Sequence, residues 1–226
     1  MGIAYNTSIV RDGLVLHLDA TNVKSYPGSG TSCTDLSGNG INGVLTNGAT
    51  VSNGAFVFDG VDDHVSMGDV LDIAGSFSLN VWFKGNTTQP DQYVGILSKD
   101  GSGNFGNYGL YGDVNSNYVR FGFVSSTAQR EINNSSFLDI KSNQWVNYCG
   151  TYDQSFMKLY RNGVQIASLS MTETPVTNNT VLALGGRVGT ANYFSGQISI
   201  GQVYSRGLTA AEVTQNFNAS KARYGL

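Results

Sequence analysis

A single-domain antiparallel β-sandwich, closed by one short C-terminal helix, is the fold this chain predicts. Three observations carry that expectation. Apolar and polar residues alternate over many short runs, the period-2 pattern of half-buried strands. Each run is bounded by a Gly, Asn, Asp or Ser cluster, the punctuation of turns. Only one stretch near the C-terminus has helical spacing, and it carries its own start signal.

The runs fall in order along the chain at 14–18, 55–58, 64–67, 77–83, 94–98, 119–124, 145–152, 157–160, 164–169, 181–184 and 194–204. They imply a jelly roll of about a dozen strands. In 77–83, Phe77, Leu79, Val81 and Phe83 share one face, which sends Ser78, Asn80 and Trp82 to the other. Asn162-Gly163 is the clearest turn, because both residues tolerate the positive φ of a type I′ hairpin. Asn47-Gly48 and Asn53-Gly54 mark further turns. The helix covers 208–220. Thr209 and Glu212 form a capping box, and Leu208, Val213 and Phe217 are spaced for one side. A single domain over 1–226 follows, with 1–12 as an N-terminal arm.

Composition narrows the function. Charged residues are 13% of the 226-residue chain, about half the usual share, while hydrophobic residues are 40% and the net charge is -3. The surface is therefore neutral and rich in amides and hydroxyls. Without a basic patch, nucleic acid is not an expected partner. No apolar run approaches the ~20 residues that span a bilayer, and no basic n-region with an apolar run opens the chain. Neither membrane insertion nor a signal peptide is expected. The two cysteines, Cys33 and Cys149, are expected as free thiols, with Cys149 packed as a small hydrophobe.

Several motifs together resemble a known family: 13–20 (GLVLHLDA), 35–48 (DLSGNGINGVLTNG), 56–68 (FVFDGVDDHVSMG), 76–84 (SFSLNVWFK), 144–153 (QWVNYCGTYD), 157–166 (MKLYRNGVQI) and 194–213 (FSGQISIGQVYSRGLTAAEV). The series resembles the concanavalin A-like lectin/glucanase superfamily, in its laminin-G-like jelly-roll branch. The wording from Leu14 to Gly40 is most similar to stand-alone versions in bacteriophage virion proteins. That resemblance implies a non-enzymatic virion surface protein, a capsid decoration or a tail or fibre component, with weak glycan affinity. Its partners would be other virion proteins or further copies of itself, and a cell-surface polysaccharide. The alternative is a stand-alone carbohydrate-binding lectin, dependent on calcium.

Catalysis has little to stand on. Glycoside hydrolysis usually needs two carboxylates about 5 to 9.5 Å apart. The chain's three glutamates, Glu131, Glu173 and Glu212, are too distant in sequence for two to share a strand, and Glu212 is explained as a cap. Asp62 and Asp63 are adjacent, so on a strand they would face opposite ways. No G-x-S-x-G elbow surrounds a serine.

The binding candidates lie in loops. Asn104, Phe105 and Tyr108, with Asn192 and Tyr193, combine aromatic faces for sugar C–H patches with amides for hydroxyls. For calcium, which takes six to eight oxygen ligands, Asp19, Asp35 and Asn39 are the expected cage at the sandwich rim; Asx-turns that tie the loop compete with that reading. The absence of an acidic residue at Gln197, Ser199 or Gly201, where relatives often carry one, weakens a site between the first and last strands. The acidic run Asp59, Asp62, Asp63 and His64 reads first as a turn.

Overall fold

A computed structural model of the chain describes residues 8–90, 92–100 and 107–226. Its strands, in chain order, are β1 (Leu14–Asp19), β2 (Ser32–Cys33), β3 (Gly43–Thr46), β4 (Thr50–Ser52), β5 (Ala55–Asp59), β6 (His64–Ser66), β7 (Phe77–Gly85) and β8 (Tyr93–Lys99). There follow β9 (Tyr108–Asp113), β10 (Tyr118–Val124), β11 (Gln129–Asn133), β12 (Val146–Tyr152), β13 (Phe156–Arg161), β14 (Val164–Ser170), β15 (Leu182–Leu184) and β16 (Ser195–Tyr204). Helix α1 (Ala210–Ser220) runs into a 3-10 turn at Lys221–Tyr224.

Two antiparallel sheets of eight strands face one another. Sheet A runs β14-β13-β12-β7-β16-β5-β4, and sheet B runs β11-β10-β9-β8-β15-β6-β3-β2. The ten-residue β16 serves three neighbours. Beside β7 along its length, it pairs with β5 over its first half and with β1 over its second, with a register shift between Ile198 and Ile200. Among the described residues the strands number sixteen, where alternation suggested about a dozen. The additional strands are short or broken by glycine, which hides their period.

The inward side chains of the two sheets interlock in one apolar core. Phe77 from sheet A lies 5.0 Å from Tyr108 and 5.4 Å from Phe121 of sheet B, in tilted ring contacts. Cys33 is in this core, unpaired and buried.

Trp82 does point the other way, as the alternation of β7 requires. It is fully buried nonetheless, because α1 and the 3-10 turn cover that face. Its ring stacks 4.0 Å from Tyr224 and 5.6 Å from Phe217, and its indole N–H donates to Ser220 Oγ at 2.8 Å. Val10, Leu14, Cys149, Tyr160, Tyr204, Leu208 and Val213 form a second, smaller apolar cluster in this outer layer. The described part of the N-terminal arm is docked there, with Val10 N–H donating to Asn216 Oδ1 at 2.8 Å. Thr209 and Glu212 form the capping box that the sequence implies, and Asn162-Gly163 turns with φ of 49° and 77°.

Beneath the same cover runs a buried polar row across four strands, comprising His17, Gln202, Asn80 and Asn147. Asn80 Nδ2 donates to Gln202 Oε1 at 2.8 Å, and Asn147 Nδ2 donates to Asn80 Oδ1 at 3.0 Å. His17 is 7% exposed, and its Nδ1 has no hydrogen-bond partner among the described residues. Burial pushes its imidazole down from 6.5 to about 4, against the pull of Asp19.

Candidate functional site: a glycine-floored cleft on sheet B

Sheet A's outer face is covered by the chain's own C-terminus. On sheet B, strands β8 to β11 instead present a cleft of about 200 Å³. Register explains how it forms. Gly109 of β9 lies opposite Gly122 of β10, so two neighbouring positions on one face lack side chains. Two residues along, Arg120 lies opposite Tyr111, and Tyr111 lies opposite Gly95 of β8. Gly122 is thus left open among the aromatic and basic side chains of the cleft, while Gly109 lies beneath the Tyr111 ring.

The walls are fixed by paired charges and rings. The Arg120 guanidinium sits 4.3 Å from the Tyr93 ring centroid, and Arg187 sits 5.8 Å from that of Tyr111. Arg187 Nε donates to Asp100 Oδ2 at 2.6 Å, and Arg120 Nη1 to Glu131 Oε2 at 2.8 Å. Arg120 Nε has no partner among the described residues. Gln129 adds an amide to the rim. Tyr111 leans over Gly109: a Cβ there would stand 2.4 Å from the tyrosine ring, so glycine is what lets the ring lie down. Burial, with the Asp100 charge, holds the Tyr111 phenol well above its usual range, so it stays neutral. Two guanidinium groups and two carboxylates balance in charge. The cleft therefore offers aromatic surface with directed donors and acceptors, the equipment for a polar, uncharged ring with several hydroxyls.

The residues singled out from sequence are distributed differently. Asn104 and Phe105 lie outside the described residues. Tyr108 begins β9 and is fully buried in the inter-sheet core, donating to Leu71 O at 2.9 Å, so its ring meets no solvent. Asn192 holds the turn that brings Arg187 to the cleft, its carbonyl accepting from Gly95 N and Arg187 N, each at 3.2 Å. Tyr193 is buried at 7% exposure, 5.9 Å from the His64 ring.

Asp19 and Asp35 have protein donors on their oxygens. Asp19 accepts from Thr21 N at 3.0 Å and from Arg223 at 2.8 Å. Asp35 accepts from His17 N, Ser37 N, Ser37 Oγ and Ile41 N, binding its loop to β1. Asn39 Nδ2 donates to Leu14 O at 3.3 Å and to Ser37 Oγ at 3.0 Å. These are the loop ties that competed with a calcium cage in the sequence.

Each glutamate is held by an arginine: Glu131 by Arg120, Glu173 by Arg130, and Glu212 by Arg206. Hydrogen bonds from Arg130 hold Glu173, and from Arg206 hold Glu212, at about 2. A general acid at neutral pH requires the opposite shift.

The cleft escaped sequence reasoning because β9 did. The segment YGLYGD alternates only weakly when glycine replaces two of its side chains. The usable signal was the Tyr, Arg and Gly set left on the outward positions of β8 and β10 once their inward apolar residues are removed.

Comparison with known proteins agrees with the fold. Residues 59–214 match the family model described as the concanavalin A-like lectin/glucanases superfamily, and the chain belongs to that superfamily. No curated protein sequence matches it. Among solved structures, it is similar to Trypanosoma rangeli sialidase in complex with the inhibitor DANA (TM-score 0.67, 16% identity, covering 93% of this chain and 33% of that one). It is also similar to the binding domain of Paraclostridial Mosquitocidal Protein 1 (TM-score 0.67, 19% identity, 92% and 52%). A third is the botulinum neurotoxin serotype D ligand binding domain in complex with N-acetylneuraminic acid (TM-score 0.69, 15% identity, 92% and 51%). The chain spans about a third to a half of the length of these proteins. At such identities the likeness concerns fold. No helix among the described residues is long and apolar enough to cross a membrane.

Proposed function

We propose that this protein is a non-enzymatic glycan-binding module whose site is the sheet B cleft, seating a terminal sugar residue. The observation that carries the reading is the cleft in which Gly122 lies among Tyr93, Tyr111, Arg120 and Arg187, an open seat among fixed aromatic and hydrogen-bonding groups. The volume, about 200 Å³, is small for a ligand pocket and suits one ring better than a buried chain. Two of the similar solved structures are binding domains, one of them in complex with N-acetylneuraminic acid. The wild-type protein and Arg120→Ala should be run together on a glycan array. Selective binding by the wild type, weakened at least tenfold in the variant without loss of fold, supports the reading. A flat array, or binding indifferent to Arg120, refutes it.

The resemblance of Leu14–Gly40 to virion proteins favours a phage particle as the setting, with the module displayed on capsid, tail or fibre. Stoichiometric presence in purified particles is the test, and absence from them would remove that setting while leaving the glycan site standing.

A further inference from the structure

The loop between β5 and β6 gathers three carboxylates that the glycan cleft does not use. Asp59, Asp62 and Asp63 each place an oxygen within 4.8 Å of the other two. Among the described residues, no lysine, arginine or histidine forms an ion pair with any of them.

Turn formation explains part of this set. Asp59 Oδ1 accepts from Val61 N at 2.7 Å, and Asp63 Oδ2 accepts from Asp59 N at 3.1 Å. It leaves Asp63 Oδ1 unexplained. That residue is 5% exposed, and its Oδ1 is buried with no hydrogen-bond partner among the described residues. An unpartnered carboxylate oxygen is costly to bury unless something else satisfies it. Gly48, at φ +124°, makes room for this atom, since a Cβ there would come within 2.9 Å of it. The backbone of Asp62 is pinned by Asn47 Nδ2 at 3.3 Å and His64 Nδ1 at 2.8 Å, both at its carbonyl oxygen.

We infer that Asp59, Asp62 and Asp63 form a calcium site, in which the cation takes the free oxygen of Asp63, the outward carboxylates of Asp59 and Asp62, and water. The donors are all hard oxygens on a loop at the sheet margin, which suits calcium's variable coordination better than magnesium's strict octahedron. The set holds carboxylates and neither sulfur nor imidazole, so zinc is disfavoured.

The test is calorimetric titration of the full chain with calcium chloride, with terbium luminescence as a second readout. One saturable site is expected, with Kd on the order of 10⁻⁴ to 10⁻³ M, the range of exposed modules with few charged ligands. Asp62→Asn and Asp59→Asn alter exposed side chains and leave the core intact, so circular dichroism should be unchanged. Each should weaken calcium at least tenfold, and Asp63→Asn should abolish its binding. Asp12→Asn, a change at an exposed carboxylate elsewhere, should leave the titration unaltered. No saturable binding up to roughly 10 mM calcium, above the weakest expected range, would overturn the site. Binding that survives in the Asp59→Asn/Asp62→Asn double variant would do the same.

Discussion

His17 gives the protein a defined acid sensitivity. The imidazole is enclosed beneath the C-terminal cover, with Asp19 and Asp35 pulling its proton affinity up and Arg11 and Arg223 pushing it down. Burial outweighs all of them and sets the folded value near 4 against 6.5 when free. At roughly 1.36 kcal/mol for each tenfold change in proton affinity, the difference corresponds to about 3 kcal/mol. The direction follows from which state takes up the proton. Above pH 6.5 both forms are neutral and stability is complete. As pH falls from 6.5 to about 4, the unfolded chain is protonated and the folded one resists, so stability declines by about 1.4 kcal/mol per pH unit. Below about 4 the loss levels off. Glu212 acts in a separate window: held at about 2 by Arg206, its contribution is present above 4.5 and fades as pH drops toward 2. Urea unfolding followed by tryptophan fluorescence, at intervals from pH 7.5 to 4.5, should show the decline in the wild type. In His17→Gln it should be smaller by about 2.5 kcal/mol over the same span. The other histidine, His64, is common to both proteins and cancels in the difference. Parallel stability profiles for the two proteins would refute the assignment.

Other outcomes follow from features already described. Gly109→Ala should retain the fold at a cost of about 1–2 kcal/mol, because the clashing atoms belong to the tip of the Tyr111 side chain. It should still lose glycan binding on the array, since the ring must rise into the cleft. Gly122→Ala should be more destabilising, because its Cβ would meet the Arg130 backbone carbonyl at 2.5 Å; a lower urea midpoint than for Gly109→Ala checks this. Trp82→Ala removes a fully buried ring stacked on Tyr224 and should cost about 3–5 kcal/mol in urea unfolding. Thr209→Ala removes one half of the capping box and should cost about 1 kcal/mol by the same assay, with Thr209→Ser restoring most of it.

The sandwich was legible because its signals are local. Alternation in 77–83 placed Trp82 on the outer face, and the letters Thr209 to Glu212 placed the helix start. What escaped depends on register. Nothing local says that Gly109 will lie opposite Gly122, and a strand with glycine at 109 and 112 reads as a loop. Tyr108 was drawn toward the surface for the same reason, when in fact it opens β9 and fills the core. Asp19 and Asp35 were visible as oxygen donors, but the arginine and backbone groups that occupy them come from as far away as Arg223.

The two cysteines stand on opposite sides of sheet A. Cys33 is enclosed between the sheets and Cys149 beneath the C-terminal cover, and burial raises the first thiol to about 12 and the second higher still. Neither is a nucleophile at neutral pH while its layer stays shut. Each therefore works as a silent clock for its own layer, reacting with a small thiol reagent only when that layer opens. If the C-terminal cover lifts before the sheets part, Cys149 will be labelled first, and the order of labelling will show whether this protein comes apart in one step or peels from the outside.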